Sequence, residues 1–140
     1  MSDVIIYQND DGRLSIVYPV AGIPMEEVIA KSIPEGRPYK IIDSSKLPAR
    51  DEFRNAWKNI GSGIVFDLPV ARELKMAKIR EKRNEKLEET DIPMLKALER
   101  GESVDTLKEL RQRLRDLPQV TNLEQYTTIK QLRDMWPSEL

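Results

Sequence analysis

The chain has 140 residues, 39% hydrophobic and 34% charged, with a formal net charge of −1. It contains no cysteine and no histidine. Disulfides, thiolate nucleophiles, zinc–sulfur sites and the usual neutral-pH general base are therefore excluded. So is a global electrostatic field directed at nucleic acid.

Charge is near balance in both halves: residues 1–68 carry 8 basic and 10 acidic groups, and residues 69–140 carry 15 and 14. No apolar run approaches the roughly 18 residues a membrane span needs. The Met1-Ser2-Asp3 start lacks the basic and apolar segments of a secretory signal. Both observations lead to the expectation of cytoplasmic synthesis without export, and of no membrane partner.

Val4-Ile5-Ile6-Tyr7 is a β-favouring run, followed by Asn9-Asp10-Asp11-Gly12 and then by Leu14-Ser15-Ile16-Val17-Tyr18. Asp-Gly supplies positive φ, so a β-hairpin is predicted at about residues 4–18. Pro24 to Lys31 reads as a short helix, with Met25, Val28 and Ile29 at helical spacing. Tyr39 to Asp43 is a third strand candidate after the Pro34–Gly36–Pro38 breakers. Asp51 to Lys58 reads as a short helix placing Phe53 and Trp57 one turn apart, Gly61-Ser62-Gly63 as a flexible break, and Ile64-Val65-Phe66 as a short strand.

Composition changes at Asp67-Leu68-Pro69, where Asp67 suits a cap and Pro69 a first turn. Val70 to Glu89 has no glycine or proline and predicts a helix roughly 30 Å long. Asp91-Ile92-Pro93 should kink it or begin a new helix, and Met94, Leu95 and Leu98 continue an apolar face to Gly101. Ser103 resembles a cap for a helix to Asp116, bearing Leu107, Leu110, Leu114 and Leu117 and stopped by Pro118. Ile129, Leu132 and Trp136 mark a last short helix ended by Pro137. The fold class is α+β: a small β-hairpin/α unit at 1–68, then a helical region at 69–140 with a long helix and an antiparallel helical hairpin turning near Gly101.

Along the long helix Lys78, Lys82 and Lys86 form one row and Glu81, Glu85 and Glu89 the next. The pattern fits a solvated face, or a two-colour stripe that docks on a complementary helix, including its own copy in a homo-oligomer. The apolar side drifts from Val70, Leu74 and Ala77 to Met76, Ile79 and Leu87, with Arg80 and Arg83 among the second set. Such drift predicts a helix that leaves one packing environment for another, or one whose middle is exposed.

Chemistry is sparse. Glu26-Glu27, Glu88-Glu89 and Asp10-Asp11 are adjacent in sequence and make poor acid/base dyads. Gly61-Ser62-Gly63 lacks the spacing of a phosphate loop, and Asn9 to Gly12 lacks the later ligands of a calcium loop. No cofactor, metal or catalytic residue is indicated, and a carboxylate hydrolase ranks last. Lys75 to Lys86 carries six basic and two acidic residues but no aromatic, which argues against nucleic acid as the partner. Phe53-Arg54-Asn55-Ala56-Trp57 is either a core anchor or a partner hot spot, and Trp136-Pro137 is either a plug or a docking tail. The partner-binding candidates are Phe53, Arg54, Trp57, Lys78, Arg80, Lys82, Arg83, Lys86 and Trp136.

Several of these segments resemble a known family. Arg80-Glu81-Lys82-Arg83-Asn84-Glu85-Lys86-Leu87, Thr90-Asp91, Arg111-Gln112-Arg113-Leu114-Arg115-Asp116-Leu117-Pro118 and Trp136-Pro137 are similar to phage tail assembly chaperone proteins. With the hairpin, Pro38 to Asp43, Leu47-Pro48 and Phe53 to Trp57, the whole resembles small proteins of tailed bacteriophages. The resemblance implies a non-enzymatic protein that binds a phage tail or tail-fibre protein as an assembly chaperone. A structural component of the mature virion is the alternative. It also implies the host cytoplasm during assembly, or the virion tail, as the location. The N-terminal unit would be an adaptor.

Overall fold

The structure, a computed structural model, describes residues 2–59 and 63–140; the backbone of Asn59 is included but not its side chain. The expected break at Gly61-Ser62 lies outside the described residues. Contacts divide the chain into two compact units, Met1–Ala71 and Arg72–Leu140.

In the first unit, β1 (Asp3–Gln8) and β2 (Leu14–Val17) form the predicted hairpin, in the register Ile6↔Ile16 and Gln8↔Leu14. Gly12, at φ +86°, closes the turn, and the Asn9 N–H donates to the Arg13 carbonyl at 2.8 Å. Positive φ at this position favours glycine. β3 (Tyr39–Asp43) pairs antiparallel with the other edge of β1, giving the order β2-β1-β3.

β1 is thus central, and both of its faces are covered. Val4 and Ile6 join Leu14, Ile42 and Trp57 in one cluster. Ile5 joins Val28 and Ile33, from helix α1 (Met25–Ser32) and the residue after it, in another. This double burial explains why β1 reads Val-Ile-Ile without alternation: a strand with two buried faces needs apolar residues on both.

One expectation is overturned here. Asp51 to Lys58 is not a helix one turn and more in length. It is a single 3-10 turn at Arg54–Ala56 that runs directly into β4 (Trp57–Asn59), paired antiparallel with β5 (Ile64–Phe66). The Asp51 carboxylate accepts from the Phe53 N–H at 2.9 Å, and the Asp51 carbonyl accepts from the Arg54 N–H. A side chain that captures nearby backbone donors favours a turn over a helix. Pairing with Phe66 then draws Trp57 into extended backbone.

α2 (Leu68–Glu89) is the long helix. The Asp67 carbonyl accepts the Ala71 N–H at 2.8 Å, as expected of a cap residue. The helix ends where Thr90 turns its hydroxyl onto the Leu87 carbonyl at 2.6 Å, and α3 (Asp91–Glu99) begins with Pro93 in its first turn. α3 closes at Gly101, φ +69°, whose N–H donates to the Leu98 carbonyl while the Glu102 N–H donates to that of Ala97. This paired closure requires a left-handed residue at the helix exit.

α4 (Asp105–Val120) does not stop at Pro118 as predicted: the proline lies inside the last turn. One intrahelical donor is lost, yet the chain continues, and the Thr121 N–H and hydroxyl both close on the Leu117 carbonyl. Arg83 reaches the Arg115 carbonyl, and Arg111 reaches the Leu87 carbonyl. Advancing along α4 therefore means retreating along α2, so the two helices run antiparallel. α5 (Ile129–Asp134) is capped by the Thr128 hydroxyl, which accepts from the Gln131 N–H.

Within the second unit the inward side of α2 includes the second predicted set: Ile79 is buried and Met76, Arg83 and Leu87 are half-buried. Lys75 joins this side unexpectedly, and Ala77 of the first set is exposed. On α3, Ala97 is buried, whereas Leu95 and Leu98 face outward with Ile92. The remaining core side chains of this unit include Leu114, Leu117, Leu123 and Leu132.

Two outcomes are expected from the first unit. Phe53→Ala, at a fully buried site, should cost about 3–5 kcal/mol, read as an earlier urea transition of the strand signal in circular dichroism. Asp43 has its carboxyl held below the usual range, chiefly by the Ser45 N–H that it accepts and then by the Ser45 hydroxyl. A depressed folded pKa gives stability present above the ordinary aspartate range and lost as pH falls through the folded value. Asp43→Ala should therefore differ from wild type in thermal unfolding at neutral pH, and the difference should vanish in strong acid.

Candidate partner-binding surfaces

The residues singled out by sequence go to different environments. Phe53 and Trp57 are 0% and 2% exposed and fill the core of the first unit. As partner hot spots they are overturned: neither offers an accessible surface. Arg54 is spent locally as well. Its guanidinium donates to the Leu14 carbonyl at 2.8 Å and lies 4.5 Å from the centre of the Trp57 ring. Burial lowers its pKa from the usual arginine value, although an arginine stays cationic in proteins.

In the second unit, Trp136 is the meeting point. The Lys75 ammonium lies 3.7 Å from the centre of its ring and that of Lys82 4.7 Å. Lys75 is only 1% exposed, and its Nζ also donates to the Arg133 carbonyl at 3.4 Å. A buried ammonium is costly unless donors are satisfied and charge is faced by negative potential. The ring face and the carbonyl supply both. Lys75 and Lys82 are seven apart, two turns of α2, so their side chains fall on one side of the helix and close on the ring from two directions. Trp136 keeps 41% exposure, and with Lys78, Glu81, Lys82 and Glu85 it lines a shallow concavity of about 220 Å³.

The charge rows behave as spaced. Lys78 pairs with Glu81 at 3.4 Å and Lys86 with Glu89 at 3.6 Å. Such exposed pairs contribute little, roughly 0.2–1 kcal/mol each. Arg83, outside these rows, donates to the Arg115 carbonyl at 3.3 Å and to Asn84 Oδ1 at 2.8 Å. Arg80 is exposed and not among the residues around Trp136. Lys86 lines another concavity, of about 380 Å³, floored by Pro93, Leu107, Leu110 and Leu114.

Two groups were not singled out by sequence. Arg111 joins three segments: one Nη donates to the Leu87 carbonyl, the Thr90 hydroxyl and, at 2.9 Å, the Asp91 carboxylate. Its place between Leu110 and Leu114 on an amphipathic helix was the available signal. The second group is the exposed trio Ile92, Leu95 and Leu98. Among the described residues no group of acidic, histidine or cysteine side chains could hold a metal ion, and no helix is long and apolar enough to cross a membrane.

With this geometry in view, one comparison is informative. The family model of the phage tail assembly chaperone protein matches residues 76–139, just under half of the chain and wholly within the second unit. That segment is similar to phage tail assembly chaperone proteins. Comparison with curated proteins and with solved structures gives no match.

Trp136→Ala is expected to destabilise the helical unit by about 1–3 kcal/mol, because it uncovers a desolvated ammonium. Trp136→Phe keeps a ring face and should lose less. Urea unfolding followed at the helical band of circular dichroism checks both.

Proposed function

We propose that this protein is a non-enzymatic assembly chaperone of a bacteriophage tail, holding a tail or tail-fibre protein through its helical unit. The observation that carries the reading is the family match over residues 76–139, which falls on one compact helical unit. Physical support comes from the surface of that unit. It combines exposed apolar side chains with charges of both signs, the mixture that suits a surface made for protein.

The reading places the protein in the host cytoplasm while tails assemble. The first unit then serves as a second contact, with Tyr39 and Ile41 of β3 partly exposed on one sheet face. Nucleic acid is a poor alternative partner on this surface. Within the basic run Lys75 to Lys86, Lys75 is buried, Lys78 and Lys86 face glutamates, Lys82 lies on Trp136 and Arg83 donates to a carbonyl.

Co-expression of the full chain with individual tail proteins of its phage, followed by affinity capture, tests the reading. One tail protein should co-purify, and mass spectrometry of purified particles should find the chaperone absent. Stoichiometric presence in particles would make it a virion component instead. Capture of no tail protein would end both readings.

A further inference from the structure

Two exposed features lie side by side on α3 and α4. The first is a ridge of Ile92, Leu95 and Leu98, which are 64%, 58% and 61% exposed. They are spaced by three on α3 and so share one side of the helix. The second is a concavity of about 450 Å³ lined by Met94, Lys108, Arg111, Gln112 and Arg115. Met94 and Leu98 are one helical turn apart, so the concavity borders the ridge.

The concavity is basic beyond internal need. Arg111 is committed to Leu87, Thr90 and Asp91, and Gln112 to Asp116. Lys108 and Arg115 are exposed, and their side chains form no ion pair or hydrogen bond with any described residue. Two cations are left facing an open space beside an apolar ridge. On the ridge side, Asp91 is neutralised by Arg111. Glu99 lies between Leu95 and Ile92 on the helical wheel, within the ridge, and carries no ion pair; Lys96 lies beyond Ile92, on the border away from the concavity.

The size of the ridge limits what covers it. Nine residues of α3 span about 14 Å. Such a face falls well short of the roughly 800 Å² per partner of a standard interface between folded proteins. It matches one short helix laid alongside, the helix-in-groove mode of recognition.

We propose that the α3–α4 surface binds a short amphipathic helical segment of the partner. Its apolar stripe would cover Ile92, Leu95 and Leu98, and an acidic side chain beside the stripe would enter the Lys108–Arg115 concavity. That the segment belongs to a tail protein rests on the function proposed above; its chemistry rests on this surface alone.

The test uses the full chain and a labelled synthetic helical peptide with a leucine stripe and glutamates on one flank. A second peptide has lysine at each glutamate position. The acidic peptide should bind about tenfold or more tightly than the basic one, and Lys108→Glu with Arg115→Glu should weaken it at least about tenfold. Leu95→Asp with Leu98→Asp should abolish binding. All four positions are exposed, and unchanged circular dichroism, with the milder Lys108→Gln/Arg115→Gln pair beside the reversal, separates loss of binding from loss of fold.

Equal binding of the two peptides, or full binding by the charge-reversed variant, overturns the proposal. So does a dimer in light scattering that Leu95→Asp dissolves, since a second copy would then own the ridge. Capture of a tail protein by wild type and by both variants alike rejects this surface and leaves the chaperone reading standing. Peptide binding with no tail protein captured does the reverse.

Discussion

In the helical unit, long cationic side chains donate to main-chain carbonyls of neighbouring segments. Arg111 of α4 reaches the Leu87 carbonyl in the last turn of α2, and Lys75 of α2 reaches that of Arg133 in the last turn of α5. Carbonyls in a last turn lack intrahelical partners and sit at the negative end of the helix dipole. A cation delivered there satisfies the acceptor and neutralises the dipole together. Arg72 to the Tyr126 carbonyl, at 2.9 Å, and Arg83 to the Arg115 carbonyl extend the same device to a loop and to the body of α4. These contacts tie α2 to residues 20 to 60 positions away with few apolar side chains. They explain how a helix with so little hydrophobic content keeps one side buried.

This construction determines what remains outside. Most arginines and lysines that read as a basic surface are drawn inward, laid on Trp136 or matched to glutamates along α2; Arg80 stays exposed. The apolar residues displaced from packing gather on α3, where Ala97 takes the inward position and Ile92, Leu95 and Leu98 do not. Small residues inward and large ones outward invert the usual helix pattern. The inversion fits a helix whose outer side is meant to be covered by something other than its own chain. Lys108 and Arg115, beside it, are among the cations that the carbonyl network leaves unused.

Much of the architecture could be read from local sequence. The β1–β2 hairpin follows from Asp11-Gly12 between β-favouring runs, and α2 from twenty-two residues broken only by the first-turn Pro69. What could not be read depended on distant partners. Trp57 is extended because it pairs with Phe66 nine residues later, a constraint invisible in the helical spacing of Phe53 and Trp57. Lys75 belongs to the buried side of α2 only because Trp136 and the Arg133 carbonyl await it some sixty positions on. Pro118 predicts the end of α4, yet a proline in a last turn removes one donor and the helix runs on to Val120. Of the binding candidates, Lys78, Lys82 and Trp136 do come together, whereas Phe53 and Trp57 are core. The apolar face of Leu95 and Leu98 is legible, but not its outward position, since spacing alone does not say which side of a short helix is covered.

The central claim is that the helical unit is the part that holds a tail protein. Hydrogen–deuterium exchange on the full chain, free and in complex with a co-expressed tail protein, tests it most directly. The account predicts that binding slows exchange in α3 and α4, with any protection in the first unit confined to β3, its second contact. Protection confined to residues 3–66, with α3 and α4 exchanging as in the free protein, would contradict it.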